Sequence, residues 1–190
     1  MCQKATIITL LLFGLVSAPG FSQEATLSFE NGDISESGIP GVTLTPTQVS
    51  GDPLNYPYGI GIIASSYLTH SGTYAALLVS NWQEDNGEVV YKITSHTTYL
   101  SFYYLLGVGS TDGHQGDFSF SIDGEVCLSG RIPSITVGSG GTDWMFYNIS
   151  GLTDEFHLFE WRLVDKDRYT GSWFFLDDVT LGWVLPLMTL

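Results

Sequence analysis

HLFEWRLVDKDRYTGSWFFLDDVTL, residues 157–181, predicts two strands joined by one turn, and it decides the fold of the chain. Alternate side chains of a strand point to the same face of the sheet. Asp177 is therefore predicted to share a face with four apolar side chains, those of Trp173, Phe175, Val179 and Leu181. Asp178 is predicted to point the other way. Because a buried carboxylate is costly unless it is paired or hydrogen-bonded, Asp177 is expected to have a partner elsewhere in the chain.

The composition favours a single all-β domain. The chain has 190 residues, 44% of them hydrophobic, and 22 glycines, which suits one core with many turns. No long stretch has apolar residues at helical spacing. Short predicted strands are separated by turn signals, such as the hairpin turn at Asp123 and Gly124. The sequence thus predicts an antiparallel β-sandwich whose residues 98–106, apolar on both parities, form a central strand covered on both faces.

Three segments are predicted along the chain. Residues 1–22 have one lysine, an apolar run and small residues after it, which is the layout of a secretory signal peptide. Residues 23–182 are predicted to form the β-sandwich domain, and residues 183–190 a short apolar tail. No apolar run reaches the roughly 18 residues that a membrane span requires. The mature protein is therefore expected to be extracellular, either free or associated with the cell surface.

The charge of the chain argues against one class of partner. The sequence has 6 basic and 20 acidic residues. Removal of residues 1–22 takes away Lys4, which leaves 5 basic against 20 acidic residues, a net charge of −15. Nucleic acid is therefore not expected as a partner. The acidic balance suits calcium binding, or simply solubility outside the cell.

The order of several short motifs carries a family likeness. The motifs are FENGD (29–33), HSGTYAALLVS (70–80), YLSFYYLLGVGSTDGHQGDFSFSIDGE (99–125), Trp144, HLFEWRLVDKD (157–167) and FFLDDV (174–179). This order resembles the MAM domains and the related jelly-roll modules called cleaved-adhesin domains. The resemblance implies an extracellular, concanavalin-like jelly roll that binds glycans or proteins in adhesion, often with a structural calcium ion. The cysteines that commonly staple MAM domains are absent, which favours the bacterial adhesin-like branch.

The resemblance also implies a metal site. Glu30 matches the acidic residue that closes the first strand of the family, and Asp177 matches the first aspartate of the closing motif. First and last strands can lie side by side in a jelly roll, so Glu30 and Asp177 are expected to share one calcium ion, completed by backbone carbonyls and water. In the alternative interpretation, Asp177 accepts backbone N–H bonds and orders the strand end.

Ligand-binding candidates follow from the chemistry of sugars, whose C–H faces pack on aromatic rings while their hydroxyls form hydrogen bonds. Aromatic side chains on predicted loops, with two polar neighbours, are the candidates. They are Tyr56, Tyr58, Trp82 and Tyr169, with Asp112 and His114. Trp144, Trp161 and Phe175 are instead predicted to lie in the core.

Catalysis is not expected. Concanavalin-like glycosidases carry Glu-x-Asp-x-x-Glu on one strand, and this spacing is absent from the chain. His157 and the pair His70–Ser71 lack a Gly-x-Ser-x-Gly elbow and an identifiable orienting acid. The sequence predicts a secreted, non-catalytic module that binds a glycan or an extracellular protein. The alternative is a structural protein that self-associates through the tail at residues 183–190.

Overall fold

The computed structural model describes residues 22–32, 43–46, 59–64, 68–79, 88–108, 116–132, 143–164 and 172–184, and these residues form eleven strands and no helix. The strands are β1 (Ser22–Leu27), β2 (Thr43–Pro46), β3 (Gly59–Ala64), β4 (Tyr74–Val79), β5 (Glu88–His96), β6 (Tyr99–Val108), β7 (Asp117–Ile122), β8 (Glu125–Arg131), β9 (Met145–Ser150), β10 (Phe156–Val164) and β11 (Ser172–Val184). No segment in these ranges is therefore a helix that could cross a membrane.

Two antiparallel sheets make up the fold. One has the order β3-β4-β11-β6-β9, with β1 also paired to β11, and the other has the order β2-β5-β10-β7-β8. The predicted antiparallel β-sandwich is confirmed. The first and last strands pair from Ser22↔Val184 to Leu27↔Val179, as the jelly-roll plan implied.

Aromatic side chains join the two sheets. The ring of Phe102 in β6 lies 5.0 Å from that of Phe120 in β7 and 5.3 Å from that of Trp161 in β10, measured between centroids. All three side chains are fully buried, and burial of a ring of this size stabilises a fold by about 2 kcal/mol. Leu105 is also buried although it lies outside this core. The outer face of β6 is therefore covered at Leu105, whereas the outward Tyr103 is only half-buried, so the cover on both faces that residues 98–106 predicted holds for part of the strand.

The hairpin predicted at Asp123 and Gly124 is confirmed. Ile122 pairs with Glu125, which leaves a two-residue loop. Both loop residues have positive φ, 52° at Asp123 and 83° at Gly124. This is the type I′ geometry that follows the right-handed twist of paired strands.

A β-bulge interrupts the closing strand β11. Against β6, the register steps from Asp177↔Tyr103 to Thr180↔Ser101, so β11 carries one extra residue. Asp178 has a φ of 47° there, a left-handed conformation that aspartate tolerates better than most residues. Strand β11 extends to Trp183 and Val184, the first two residues of the predicted tail. Residues 1–21 and 185–190 lie outside the described residues, so the predicted boundaries stay predictions.

The bulge overturns one prediction about β11. Before it, the core side chains are Phe174 and Leu176, and after it they are Val179 and Leu181. The predicted common face of Trp173, Phe175, Asp177, Val179 and Leu181 is therefore wrong, because the extra residue shifts the alternation by one. Phe175 is buried as predicted, but on the outer face of the six-stranded sheet.

Candidate functional site

Strand β11 changes partner along one edge. It pairs with β4 at residues 173–176 and with β1 at residues 179–184. Asp177 and Asp178 lie between these two pairings, at the bulge. Residues 70–74, which lead into β4, reach the same place through hydrogen bonds to both carboxylates. We call Glu30, residues 70–74, Asp177 and Asp178 the strand junction.

Both aspartates of the junction bind the same two residues. Oδ2 of Asp177 accepts from the backbone N–H groups of His70, at 2.9 Å, and Ser71, at 3.2 Å. Asp178 accepts from the hydroxyl of Ser71 at 2.8 Å and lies 2.7 Å from Nδ1 of His70. The prediction that Asp177 and Asp178 point to opposite faces is therefore wrong, because the bulge turns both carboxylates toward residues 70–71.

Glu30 holds the other end of this segment. Its Oε1 accepts from the backbone N–H groups of Thr73 and Tyr74, at 2.8 Å each. Gly72 lies between the anchored residues with a φ of +62°, and a Cβ at Gly72 would clash with the Glu30 carboxylate. Residues 70–74 are thus fixed by side chains that come from near the two ends of the chain.

The carboxyl group of Asp177 is fully buried, and it is a weaker acid than usual. Burial raises its pKa from 3.8 to about 6, although the amides of Ser71, Asp178 and His70 oppose the shift, and the nearby charge of Asp178 adds to it. The partners of Asp177 are thus backbone N–H groups, as the alternative interpretation of the sequence predicted. The shared calcium ion stays a prediction. No group of three or more His, Cys, Asp or Glu in the described ranges is arranged to hold a metal ion.

An aromatic patch adjoins the junction on the outer face of the six-stranded sheet. The imidazole of His70 stacks on Tyr103, with centroids 3.5 Å apart and planes at 14°. Trp144 meets the edge of His70 at 5.8 Å, and Phe146 lies 4.9 Å from Tyr103. Phe146 is 51% exposed and the side chain of His70 30%. We call His70, Tyr103, Trp144 and Phe146 the aromatic patch.

The patch differs from the ligand site predicted from the sequence. Trp144 was predicted to lie in the core and is instead half-buried at the surface. The predicted ligand residues all lie outside the described residues, so they stay predictions. They are Tyr56, Tyr58, Trp82, Asp112, His114 and Tyr169. The alternation of β6 around the core residue Phe102 does place Tyr103 outward, but only the register Tyr103↔Phe146 reveals its neighbour.

A cleft of about 490 Å³ opens at one end of the sandwich. Its apolar lining comes from Ile122, Ile149 and Leu152, and its polar lining includes Asp123 and the buried His157. Nδ1 of His157 lies 2.7 Å from Oδ2 of Asp123, and Nε2 lies 3.0 Å from the carbonyl oxygen of Thr153. Because both oxygens only accept, the arrangement favours the imidazolium form, with a proton on each nitrogen.

The pKa values of this pair shift in the directions that the contacts require. Burial alone would lower the pKa of His157, but the bonds to Asp123 and Thr153 outweigh it and raise the pKa above 6.5. Burial alone would raise the pKa of Asp123, but the bonds from His157 and from the Leu158 amide outweigh it and lower the pKa below 3.8.

Both histidines considered for catalysis have an orienting acid, which corrects the sequence-based interpretation. Asp123 orients His157 and Asp178 orients His70. Among the described residues, Ser71 donates its hydroxyl to Asp178 rather than to His70. Both nitrogens of His157 face acceptors, and the hydroxyl of Thr153 lies 3.4 Å from Nε2, which is longer than the roughly 2.6–3.2 Å of a nucleophile–base hydrogen bond.

Comparison with known proteins places the fold. No protein-family model matches the chain, and no curated protein matches it. The solved structures include two fold relatives with a TM-score above 0.5. The carbohydrate-binding module CBM27-1 of Caldicellulosiruptor saccharolyticus, in complex with mannohexaose, has a TM-score of 0.52 and 14% identity, over 84% of this chain and 96% of that one. A cleaved adhesin domain of Lys-gingipain from Porphyromonas gingivalis has a TM-score of 0.51 and 11% identity, over 85% and 98%.

At these identities the likeness establishes the fold. The chain has the β-sandwich fold found in carbohydrate-binding modules and cleaved adhesin domains. The cleaved-adhesin part of the sequence resemblance is thus supported at the level of fold, and the MAM label is not confirmed.

Gly72→Ala tests the strand junction. We expect it to lower the free energy of unfolding by about 2–4 kcal/mol, since the left-handed backbone costs about 1–2 kcal/mol and each amide bond to Glu30 contributes about 1 kcal/mol. Gly32→Ala is the matched control, because Gly32 has a φ of +73° and open space around it. Urea unfolding measures both. An equal loss in the two variants would show that the Glu30 contacts do not stabilise the fold.

His157→Gln tests the imidazolium at the cleft. A raised pKa of His157 stabilises the fold fully below pH 6.5, and this contribution is lost as pH rises through the folded-state pKa. The lowered pKa of Asp123 stabilises above pH 3.8 and is lost as pH falls through the folded-state value. We therefore expect the difference in unfolding free energy between wild type and His157→Gln to shrink between pH 6 and pH 9.

The matched background for this test is Asp123→Asn, in which the cost of the His157 substitution should shrink less between pH 6 and pH 9, because burial, which lowers the pKa of His157, is then opposed only by Thr153 and Glu155. Urea unfolding at each pH measures the differences. A pH-independent difference in the wild-type background would show that His157 is not held as the imidazolium.

Proposed function

We propose that this protein is an exported, non-catalytic module that binds neutral glycans through the aromatic patch. The observation that carries the proposal is the cluster of partly exposed rings, Tyr103, Trp144 and Phe146, beside the polar groups of His70 and Asp178. Rings offer surface for the C–H faces of sugars, and the polar groups offer hydrogen bonds to hydroxyls.

The geometry of the patch suits a chain of sugar units. Tyr103 and Phe146 are cross-strand neighbours on β6 and β9, and Phe146 is 51% exposed, so these rings offer a surface rather than a closed pocket. Asp178 lies 2.7 Å from Nδ1 of His70, and the exposed Asp143 directly precedes Trp144. Since the mature chain also has a net charge of −15, anionic glycans are repelled and neutral ones favoured.

Export and adhesion are part of the same proposal. The signal peptide at residues 1–22 would deliver the module outside the cell. The adhesive role is suggested by one of the fold relatives named above, which is a cleaved adhesin domain. Residues 1–21 lie outside the described residues, so export rests on the sequence pattern. Self-association through residues 183–190 is the alternative, and it stays a prediction.

A glycan array tests the binding of sugars. The mature protein should bind at least one neutral oligosaccharide saturably, and Trp144→Ala or Phe146→Ala should weaken that binding by about tenfold, the effect of one ring contact of order 1 kcal/mol. Phe156→Ala is the matched control, because Phe156 is 65% exposed but lies on the other sheet. Absence of wild-type binding, or equal binding by Trp144→Ala, contradicts the proposal.

Calcium at the strand junction is a second part of the proposal. Carboxylate oxygens of Glu30 and Asp177 are ligands that calcium prefers, and a cation there would favour the ionised form of the buried Asp177. Oε1 of Glu30 and both oxygens of Asp177 already accept N–H bonds, so calcium would bind through their remaining lone pairs or through Oε2 of Glu30.

Thermal unfolding with calcium and with a chelator tests this part. At a calcium concentration of about 100 times Kd, binding stabilises the fold by about 2.7 kcal/mol, which raises Tm by roughly 5–10 °C for a domain of this size. Glu30→Gln keeps an amide acceptor but loses the charge, so its Tm should respond less. An unchanged wild-type Tm would rule out calcium binding.

A further inference from the structure

We propose that His70 is itself a ligand-binding residue of the aromatic patch: its Nε2 accepts a hydrogen bond from a sugar hydroxyl, and Asp178 positions the ring for this. The inference rests on the proposed glycan binding and assigns the polar contact within it. The residue type alone does not suggest this role, because a histidine beside an aspartate and a serine is more often considered for catalysis.

The contact with Asp178 fixes which nitrogen of His70 is free to accept. Oδ2 of Asp178 lies 2.7 Å from Nδ1, and a carboxylate only accepts, so Nδ1 carries the proton. In the neutral ring Nε2 is then an acceptor. No described residue bonds Nε2, and the His70 side chain is 30% exposed.

The position of the His70 ring is fixed before any ligand arrives. The backbone N–H of His70 is bonded to the buried Asp177, one face of the ring lies on Tyr103, and Trp144 meets its edge. The first contact fixes the backbone of His70, and the two ring contacts restrict the rotation of its side chain. Such preorganisation increases affinity because less conformational entropy is lost in the complex.

The chemistry of Nε2 complements that of the rings. A neutral sugar presents hydroxyls around an apolar C–H face, so a sugar that packs on Trp144 or Phe146 brings hydroxyl donors to the edge of the patch. Asp178 is partly buried and already accepts from Ser71 and His70. Nε2 is therefore the acceptor best placed to receive a hydroxyl within the patch.

Binding to an array of neutral oligosaccharides that includes mannohexaose tests the role of His70. His70→Phe keeps an aromatic ring on Tyr103 and the backbone bond to Asp177, but removes both nitrogens. We expect its affinity for the oligosaccharide that the wild type binds best to fall by about tenfold, as for one lost hydrogen bond. His96→Phe is the matched control, since His96 is exposed on the other sheet, and its affinity should not change.

A measurement without ligand tests the role of Asp178. Long-range ¹H–¹⁵N NMR of the neutral imidazoles should show His70 with its proton on Nδ1. Asp178→Gly suits the φ of 47° at this position, because glycine adopts the left-handed region freely, and it removes both acceptor oxygens. We expect this variant to shift the proton of His70 toward Nε2.

The outcomes separate the two proposals. If the wild type binds no oligosaccharide, the proposed function fails, and the role of His70 fails with it. If the wild type binds and His70→Phe binds equally well, only the role of His70 is overturned. A wild-type His70 with its proton on Nε2, or an unchanged proton position in Asp178→Gly, would show that Asp178 does not position the ring.

Discussion

The carboxylate of Asp177, buried and bonded to three backbone N–H groups, is the interaction on which this end of the sandwich depends. It lies where β11 passes from β4 to β1, so no strand ladder satisfies the amides of His70 and Ser71 there. A buried N–H without an acceptor is costly. The carboxylate replaces the missing ladder, and the bulge at Asp178 gives its backbone the left-handed turn that this replacement requires.

The same principle operates at the cleft at the end of the sandwich. Asp123 lies at a hairpin turn, accepts from the amide of Leu158 and from His157, and so ties the β7–β8 turn to the beginning of β10. In both places an acidic side chain links segments that are far apart in sequence. Many carboxylates of this chain could serve solubility alone, but these bind backbone, which gives them a structural role that the net charge does not reveal.

Local sequence patterns predicted much of the fold. The Asp123–Gly124 turn was recognisable because type I′ turns require positive φ at two consecutive residues. The central position of β6 followed from a strand that is apolar on both parities. The bulge was not predictable from alternation, since large apolar residues occupy both parities of β11 before it, and either parity could therefore have faced the core. It was this residue that placed Asp177 and Asp178 on one side and invalidated the predicted faces of β11.

The candidate site was predicted least well, and the reason is sequence distance. His70 and Asp178 are separated by 108 residues, and Tyr103 and Phe146 meet only through the register of two strands. No local pattern encodes such neighbours. The orienting acids of both histidines were missed for the same reason, whereas Glu30 and Asp177 were found through a family likeness and proved to bind the same segment.

The anchoring of residues 70–74 also makes one short segment depend on distant parts of the chain. Its contacts come from Glu30 near one end of the chain and from Asp177 and Asp178 near the other. Contacts of such long sequence separation slow folding, because the entropy of loop closure is lost before they form. The stacking of His70 on Tyr103 therefore rests on a backbone that a substitution far away in sequence, at Glu30 or Asp177, would release.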